Sequence, residues 1–483
     1  MFLIRLLIVI CSTAFLVSCG GGGGGGSEKS ADVSFKIDMS TILSDARSSA
    51  DDMTTLEIGS MTLSYGSQGQ MSSMDVTEAV RNDSPITISG LYINHTYTFS
   101  ITAKSGSVII CSGSTDVVLM PHTEVNLACT TNGAAYIQFT DLNEIVGGVE
   151  LSDGRTLALS TTGQLRTFNK FLSYTEDDDI NVPNSDVFDA MVKSGDDDIY
   201  TFGQITNNGN VQMNKYDSQM NLTLSRSYNY NYAVASDAVM MSSGNIAVRL
   251  HGGDYGVLEL NPGGDVVGFQ SVEHMAGEPD QKLLHSDVTS KFIILDGTSF
   301  MVVDDSLSGA QARYMVSDSS NDITIHDGII RESDGALLMV GKAGTVGYLA
   351  VIPAPYNSGS LYKINETMGV TLTACKMAYS AEKTKYLITC QVSTNDSQYI
   401  YLDSSLALQS YEQYFFGLAN LPGRVFAGFG GRFIETGTVP FERYLKRIGT
   451  DGTMGAYTED YPPNANPEVS ISAPEAAIVS QVF

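Results

Sequence analysis

Four aspartates recur at one place in a repeating pattern. Asp189, Asp237, Asp287 and Asp327 each stand immediately before a short apolar stretch, and Ala190, Ala238, Val288 and Gly328 follow them. Carboxylates that converge focus field and attract counter-ions, so this spacing suits a calcium site or an acidic recruiting patch. It also suits a structural task, because Asp accepts hydrogen bonds from backbone N–H groups of its own turn or of a neighbouring repeat. A second acidic run, Asp177, Asp179 and Asn181, imitates the start of a calcium loop. Its sixth position is Val182 and its twelfth Phe188, where such a loop needs Gly and Glu. It reads as a solvated acidic loop. His285 and His326 sit near the starts of two repeats with no third ligand nearby, which makes a weak metal site. Tyr228, Tyr230 and Tyr232 alternate along "SYNYNY", so a strand would put all three on one face. That face would be either an aromatic platform for a glycan or peptide, or an outer strand leaning on its neighbour. No nucleophile elbow, P-loop, H-E-x-x-H or strand-linked G-x-G-x-x-G occurs, so no catalytic residue is assigned.

Composition sets the partners. The 483 residues carry 54 acids against 27 Lys plus Arg, a net charge of −27. Such a body repels nucleic acid and anionic lipid, and suits calcium, basic partners, neutral glycans or a salty medium. Of six cysteines, Cys11 and Cys19 lie in the N-terminal stretch. Cys111, Cys129, Cys375 and Cys390 are left, an even number that suits an oxidising compartment. Three pairings are open. Adjacent pairing keeps each bridge within one domain. For Cys375 and Cys390 the midpoint falls in the turn "SAEKTK", so a regular hairpin would bring the two face to face.

The N-terminus supplies an address. Arg5 precedes an apolar stretch, Leu6–Val17, of secretory-signal layout and too short to span a bilayer. Leu16-Val17-Ser18-Cys19 resembles the bacterial lipobox. That resemblance implies cleavage after residue 18 and lipid modification of Cys19, hence a membrane partner held through the lipid. Gly20–Gly26 then reads as a flexible tether reaching only ~15 Å. By resemblance to enterobacterial sorting, Gly20 favours the outer membrane; either face of it is open.

Residues 31–130, after a tether segment 19–30, form one module. Tyr97, Phe99, Ile101 and Ala103 alternate with polar residues, the period-2 pattern of a half-buried strand. Leu91 lies six residues before Tyr97. This resembles fibronectin type III and related Ig-like sandwiches, in which a Leu and a "tyrosine corner" Tyr have that spacing. Short strands are expected at Val108–Cys111, Asp116–Met120 and Val125–Cys129. The polar stretch within 38–58 fits no strand.

From residue 136 to about 460 the chain repeats. Apolar strand, tight turn, apolar strand recurs with turn centres near Gly154, Gly195, Gly244, Ser290, Gly335, Lys383 and Gly423, 40–49 residues apart. Further strands fill each period, as at Phe300–Val303 and Tyr399–Leu402. Four strands per unit at this period is the pattern of a β-propeller, here with seven blades. Tyr136–Thr140 is placed to close the ring as the outer strand of the seventh. "SDGALLMVGKAGTVGYLAVI" (333–352) resembles the degenerate bacterial propeller repeats built on S-D-G-x-x-x-x-V-G. With no Trp in the chain it resembles neither WD40 nor the Trp-docked quinoprotein type. In a propeller the first strand of each blade lines the axis, so the four aspartates would form an arc at one channel mouth. Residues 461–483 open with a Pro-rich break and end in a strand-like run suited to an edge strand.

The sequence thus describes an all-β, exported, membrane-anchored chain: a small sandwich followed by a propeller. It leaves two main functions open, with an envelope-assembly factor recruited by strand pairing at a blade edge as a third. One is a non-enzymatic binding module working through a propeller face, with a protein or glycan partner. The other is an enzyme acting on extracellular glycans or polymers through channel carboxylates.

Overall fold

Alternating apolar residues at Tyr97–Ala103 become a strand, Thr96–Ser105, whose Tyr97, Phe99, Ile101 and Ala103 are all buried. A computed structural model places it. Described are residues 30–38, 59–67, 70–82, 84–105, 108–129, 135–139, 142–169, 172, 174, 179–205, 209–273, 282–307, 311–364, 373–381, 384–391, 396–415, 421–427, 433–439, 442–448 and 471–482. Cys19, the glycine tether and the stretch 39–58 lie outside them. Among the described residues no helix is long and apolar enough to cross a membrane.

Residues 30–129 build two sheets over one core. The first has the order Ile86–Tyr92, Ser30–Asp38, Glu124–Ala128; the second has Gln70–Asp75, Ser60–Ser67, Thr96–Ser105, Val108–Val118. Val33, Ile88 and Val125 from one sheet share a cluster with Leu63, Phe99 and Ile101 from the other. The Tyr92 N–H donates to the Tyr97 hydroxyl at 3.2 Å, tying the corner before Tyr97 to its strand. Leu91 is buried beside it. Two of the expected short strands are one: Val108–Val118 is continuous. Ser112, Gly113 and Ser114 look like a turn in sequence, but each pairs with Thr96–Ser105 across the ladder. Gly113 is required there, because a Cβ would lie 1.9 Å from the Ala128 carbonyl oxygen. The Cys111–Cys129 disulfide then ties the two sheets together, with Cα atoms 5.4 Å apart.

From residue 145 the described chain folds into antiparallel four-stranded meanders, seven in sequence. The first runs Ile145–Glu150, Thr156–Ser160, Gln164–Phe168, Ile180–Asn181, and the second Val187–Lys193, Ile199–Ile205, Asn210–Tyr216, Leu222–Tyr228. The third is Val234–Met240, Ile246–His251, Gly256–Leu260, Val266–Ser271; the fourth Lys282–Ser286, Lys291–Leu295, Phe300–Asp304, Gln311–Ser317. The fifth is Thr324–Arg331, Ala336–Ala343, Val346–Ile352, Gly359–Ile364; the sixth Thr373–Ser380, Lys385–Gln391, Asp396–Asp403, Leu408–Phe415. In the seventh, Leu421–Ala427, Phe433–Val439 and Glu442–Ile448 take their outer strand from Ala135–Phe139, far upstream.

Adjacent meanders pack face to face, and each neighbouring pair shares an apolar cluster. Leu151 and Leu157 of the first meet Phe188 and Ile199 of the second, and so on to Ile434 and Leu445 of the seventh, which meet Ile145 and Phe168 of the first. The first strand of each meander touches the first strand of the next, and that of the seventh returns to that of the first. This is the arrangement of a β-propeller. Second strands such as Thr156–Ser160 are covered on both faces, so they read as unbroken apolar runs; the outer Leu222–Tyr228 alternates exposed and covered residues. Gly148 sits where the ring meets itself. A Cβ there would lie 2.6 Å from the Phe426 ring of the seventh meander.

Two repeat units differ from the sequence expectation. In the seventh, Gly423 is no turn centre. It is the bulged residue in Leu421–Ala427, between the pairs Pro422↔Gly437 and Arg424↔Thr436. In the fourth, the first strand is Lys282–Ser286, and "DVTS" (287–290) is its turn, with Ser290 at φ 52°. Strand Glu475–Gln481 inserts between the fourth and fifth meanders. Ile478–Gln481 pair with Ser317–Tyr314 and Glu475–Ala477 with Leu361–Gly359, so one strand closes two outer edges.

Candidate functional site

The predicted arc of four aspartates is not assembled. Asp287 lies past the end of its strand, in the turn at the opposite end of the meander. There it accepts from the Ser242 hydroxyl of the third meander at 2.6 Å and stands 3.2 Å from His285 Nδ1. Val288, read as the start of a strand, is exposed instead. The other three do come to the beginning of their strands, at a recurring irregularity. The pairing register slips in the first strand of every meander but the fourth. A bulge twists a strand and re-aims the side chains beside it. Asp189 is itself the bulged residue and is half-buried. Asp237 and Asp327 follow the bulged Ser236 and His326, and both are buried.

These two buried acids reach across to the next meander. Asp237 Oδ2 accepts the Leu283 N–H of the fourth at 2.9 Å. Asp327 Oδ2 accepts the Met377 N–H of the sixth at 2.8 Å. Its Oδ1 accepts the Gly328 N–H at 2.8 Å and the Lys282 ammonium of the fourth meander at 2.6 Å. His326 Nδ1 accepts the Cys375 N–H at 3.3 Å. A line of polar contacts therefore stitches the third to sixth meanders along one end of the axis. At the other end Asp197 does similar work, accepting the Ser152 N–H of the first meander at 2.8 Å and the Lys193 ammonium at 2.8 Å.

Charge at this end is mixed. Burial pushes the Asp327 carboxyl up, but Lys282 and Lys376 outweigh it and hold it below the usual carboxylate range. Burial, helped by Lys342 and Lys376 and opposed by Asp327, pushes the His326 imidazole down to about 4. At neutral pH the cluster is Asp237, Asp327, neutral His326 and three lysines, Lys282, Lys342 and Lys376. It holds cations of its own beside the acids meant for calcium. Among the described residues no three His, Cys, Asp or Glu side chains gather as a metal site. The signal that sequence reasoning missed was the lysines: Lys282, Lys342 and Lys376 are three of only 27 basic residues, and they sit in three successive meanders.

The remaining candidates are placed as follows. Asp179 forms an ion pair with the buried Arg166, with its Oδ1 2.9 Å from Nε; Asp177 lies outside the described residues. Its partner Arg166 also lies over the Tyr174 ring. The three tyrosines share no strand face, because the strand ends at Tyr228. Tyr228 is buried, donating to the Gly264 carbonyl at 2.7 Å, and the Tyr230 ring lies tilted against Phe269 with centroids 4.8 Å apart. Tyr232 alone is exposed, in a left-handed turn at φ 64°. Cys375 and Cys390 are bonded, with Cα atoms 4.1 Å apart. Lys376↔Thr389 and Ser380↔Lys385 are equidistant from the midpoint the sequence indicated.

No family model matches the sequence, and no curated protein matches it. Among solved structures the chain is similar to the β-propeller domain of Myceliophteria thermophila Cps50 (Swd1), at 10% identity and TM-score 0.44, over 64% of this chain and 99% of that one. It is similar to YCF48 bound to D1 peptide at 12% identity and TM-score 0.45, over 67% and 99%. It is similar to BamB from Moraxella catarrhalis at 13% identity and TM-score 0.41, over 65% and 98%.

Proposed function

We propose that this chain is an exported lipoprotein, anchored through Cys19, that acts by binding a partner rather than by catalysis. In this reading a fibronectin-like sandwich (31–130) carries a seven-bladed propeller (136–460), on either face of the outer membrane. The observation that carries the binding role is the fate of the axial acids. A glycan-acting channel needs two carboxylates turned toward one ligand. Asp237 and Asp327 are instead buried and spent on backbone N–H groups of the next blade. Cations stay at the axis end beside a neutral His326, on a chain of net charge −27: Lys342, and Lys376, which faces Asp327 as well. Local cations on an acidic body select an anionic group, so the partner is a protein segment bearing carboxylates.

Proximity labelling in intact cells tests this, comparing the native chain with the double variant Lys342→Glu/Lys376→Glu. The variant should keep its membrane fractionation and lose a defined set of neighbours. An unchanged neighbour set would sink the binding role of this end. Anchoring has its own test: Cys19→Ser should release the protein or block its processing. A Cys19→Ser chain that fractionates with membrane at normal mature size would rule the anchor out.

A further inference from the structure

Every exposed large apolar side chain described in the sandwich lies at one end of it. Met71, Tyr92, Val118 and Met120 are 52%, 46%, 53% and 57% exposed. Strand pairing brings them together. Met71 pairs with Gly66, which pairs with Thr98, and Val118 pairs with Thr96 two residues along the same strand. The Leu119 N–H donates to the His95 carbonyl, so Met120 follows directly beside the Tyr92–His95 corner, where the two rings are 5.9 Å apart. Ser30 pairs with Tyr92, so the chain enters the sandwich at this same end. It leaves for the propeller from the other, past Ala128.

Two further features mark this end. Segments 65–74, 86–96 and 117–123 contain no Asp or Glu; the nearest acids are Asp116, across the ladder from Thr98, and the exposed Asp32 just after the entry at Ser30. Only ten residues separate Cys19 from Ser30, a reach of ~16–19 Å for a flexible chain. We infer that Met71, Tyr92, Val118 and Met120 form a footing that rests on the phospholipid interface and holds the propeller away from it. This rests on the anchor proposed above. A short tether keeps this end within a few side-chain lengths of the lipid. Apolar and Tyr side chains gain by entering the headgroup region.

The chain has no Trp, so a single introduced Trp reports its own surroundings. The full acylated protein carrying Met120→Trp is reconstituted into phosphatidylcholine vesicles with brominated acyl chains. Val288→Trp, in an exposed propeller turn, is the reference, and Tyr92→Trp replaces Met120→Trp should that variant misfold. The footing predicts that Met120→Trp emission falls about twofold or more in brominated vesicles while Val288→Trp is unchanged. Adding Met71→Asp and Val118→Asp should abolish the quenching with the protein still floating with the vesicles. Protein that floats with no quenching at either position overturns the footing and leaves the anchor standing. A blue shift without bromine quenching means that a second copy or another protein covers the end, which also overturns it. Protein that does not float removes the anchor and the footing with it.

Discussion

His326 and Asp327 are neighbours whose protonation states diverge, and each leaves a separate mark on stability. The folded His326 titrates near 4 against an ordinary 6.5. The unfolded chain therefore binds more protons between those values, and stability falls as pH drops from about 6.5 to about 4. That difference corresponds to at most ~3 kcal/mol. His326→Asn keeps an acceptor for the Cys375 N–H and removes the titration. Its unfolding midpoint should decline less over this window than that of the parent chain in parallel thermal melts. Asp327, held below its ordinary value, contributes stability that is present above that value and lost as pH falls through the folded one, a later and separate decline. Asp327→Asn should destabilise by ~3–5 kcal/mol at pH 7, because it strands Lys282 at a partly buried site. Asp237→Asn weakens a buried acceptor of the Leu283 N–H and should cost about 1.5–3 kcal/mol in the same denaturant titration. If calorimetry instead found calcium bound by the parent and not by these variants, the structural account of both acids would be wrong. Sequence spacing found these two acids but could not show their task. Asp287 shares their spacing and lies at the other end of its meander, because one turn of "DVTS" was read as a strand.

Elements were legible wherever the apolar pattern was strong. The hairpin at 375–390 came out in register because both its strands are apolar and its turn polar, and the outer strand from residue 135 was recognisable by its place before the first repeat. Gly423 failed because a glycine inside a strand, at a bulge, looks the same as a glycine in a turn. Ser112–Ser114 failed for the reverse reason, turn-like residues held in a ladder. The "SYNYNY" alternation failed because Asn231 and Tyr232 take positive φ and end the strand. Two tests belong at this scale. Replacing Cys375 and Cys390 by Ala should lower stability by ~3 kcal/mol, measured by denaturant unfolding with and without reductant. Removing residues 471–483 exposes the outer edges Gln311–Ser317 and Gly359–Ile364. It should lower the melting midpoint by a few degrees and raise light scattering on heating, since open edges recruit other strands.

For the whole molecule, composition spoke about surroundings and the repeat spoke about shape. Neither could show that the axis end collects lysines, because those residues come from separate units and meet only when the ring forms. The ring also has a schedule. The strand that completes the seventh meander, Ala135–Phe139, is made before every other strand of the seven meanders, and its partner Glu442–Ile448 follows about three hundred residues later. At ~5–20 residues per second that is a wait of ~15–60 s. For that time Tyr136 and Ile137 belong to a strand with no ladder beside it. The seven meanders can each form a hairpin as they appear, but the join between the oldest strand and the youngest is a late event. A chain cut short anywhere before residue 442 leaves that early strand without its partner for good.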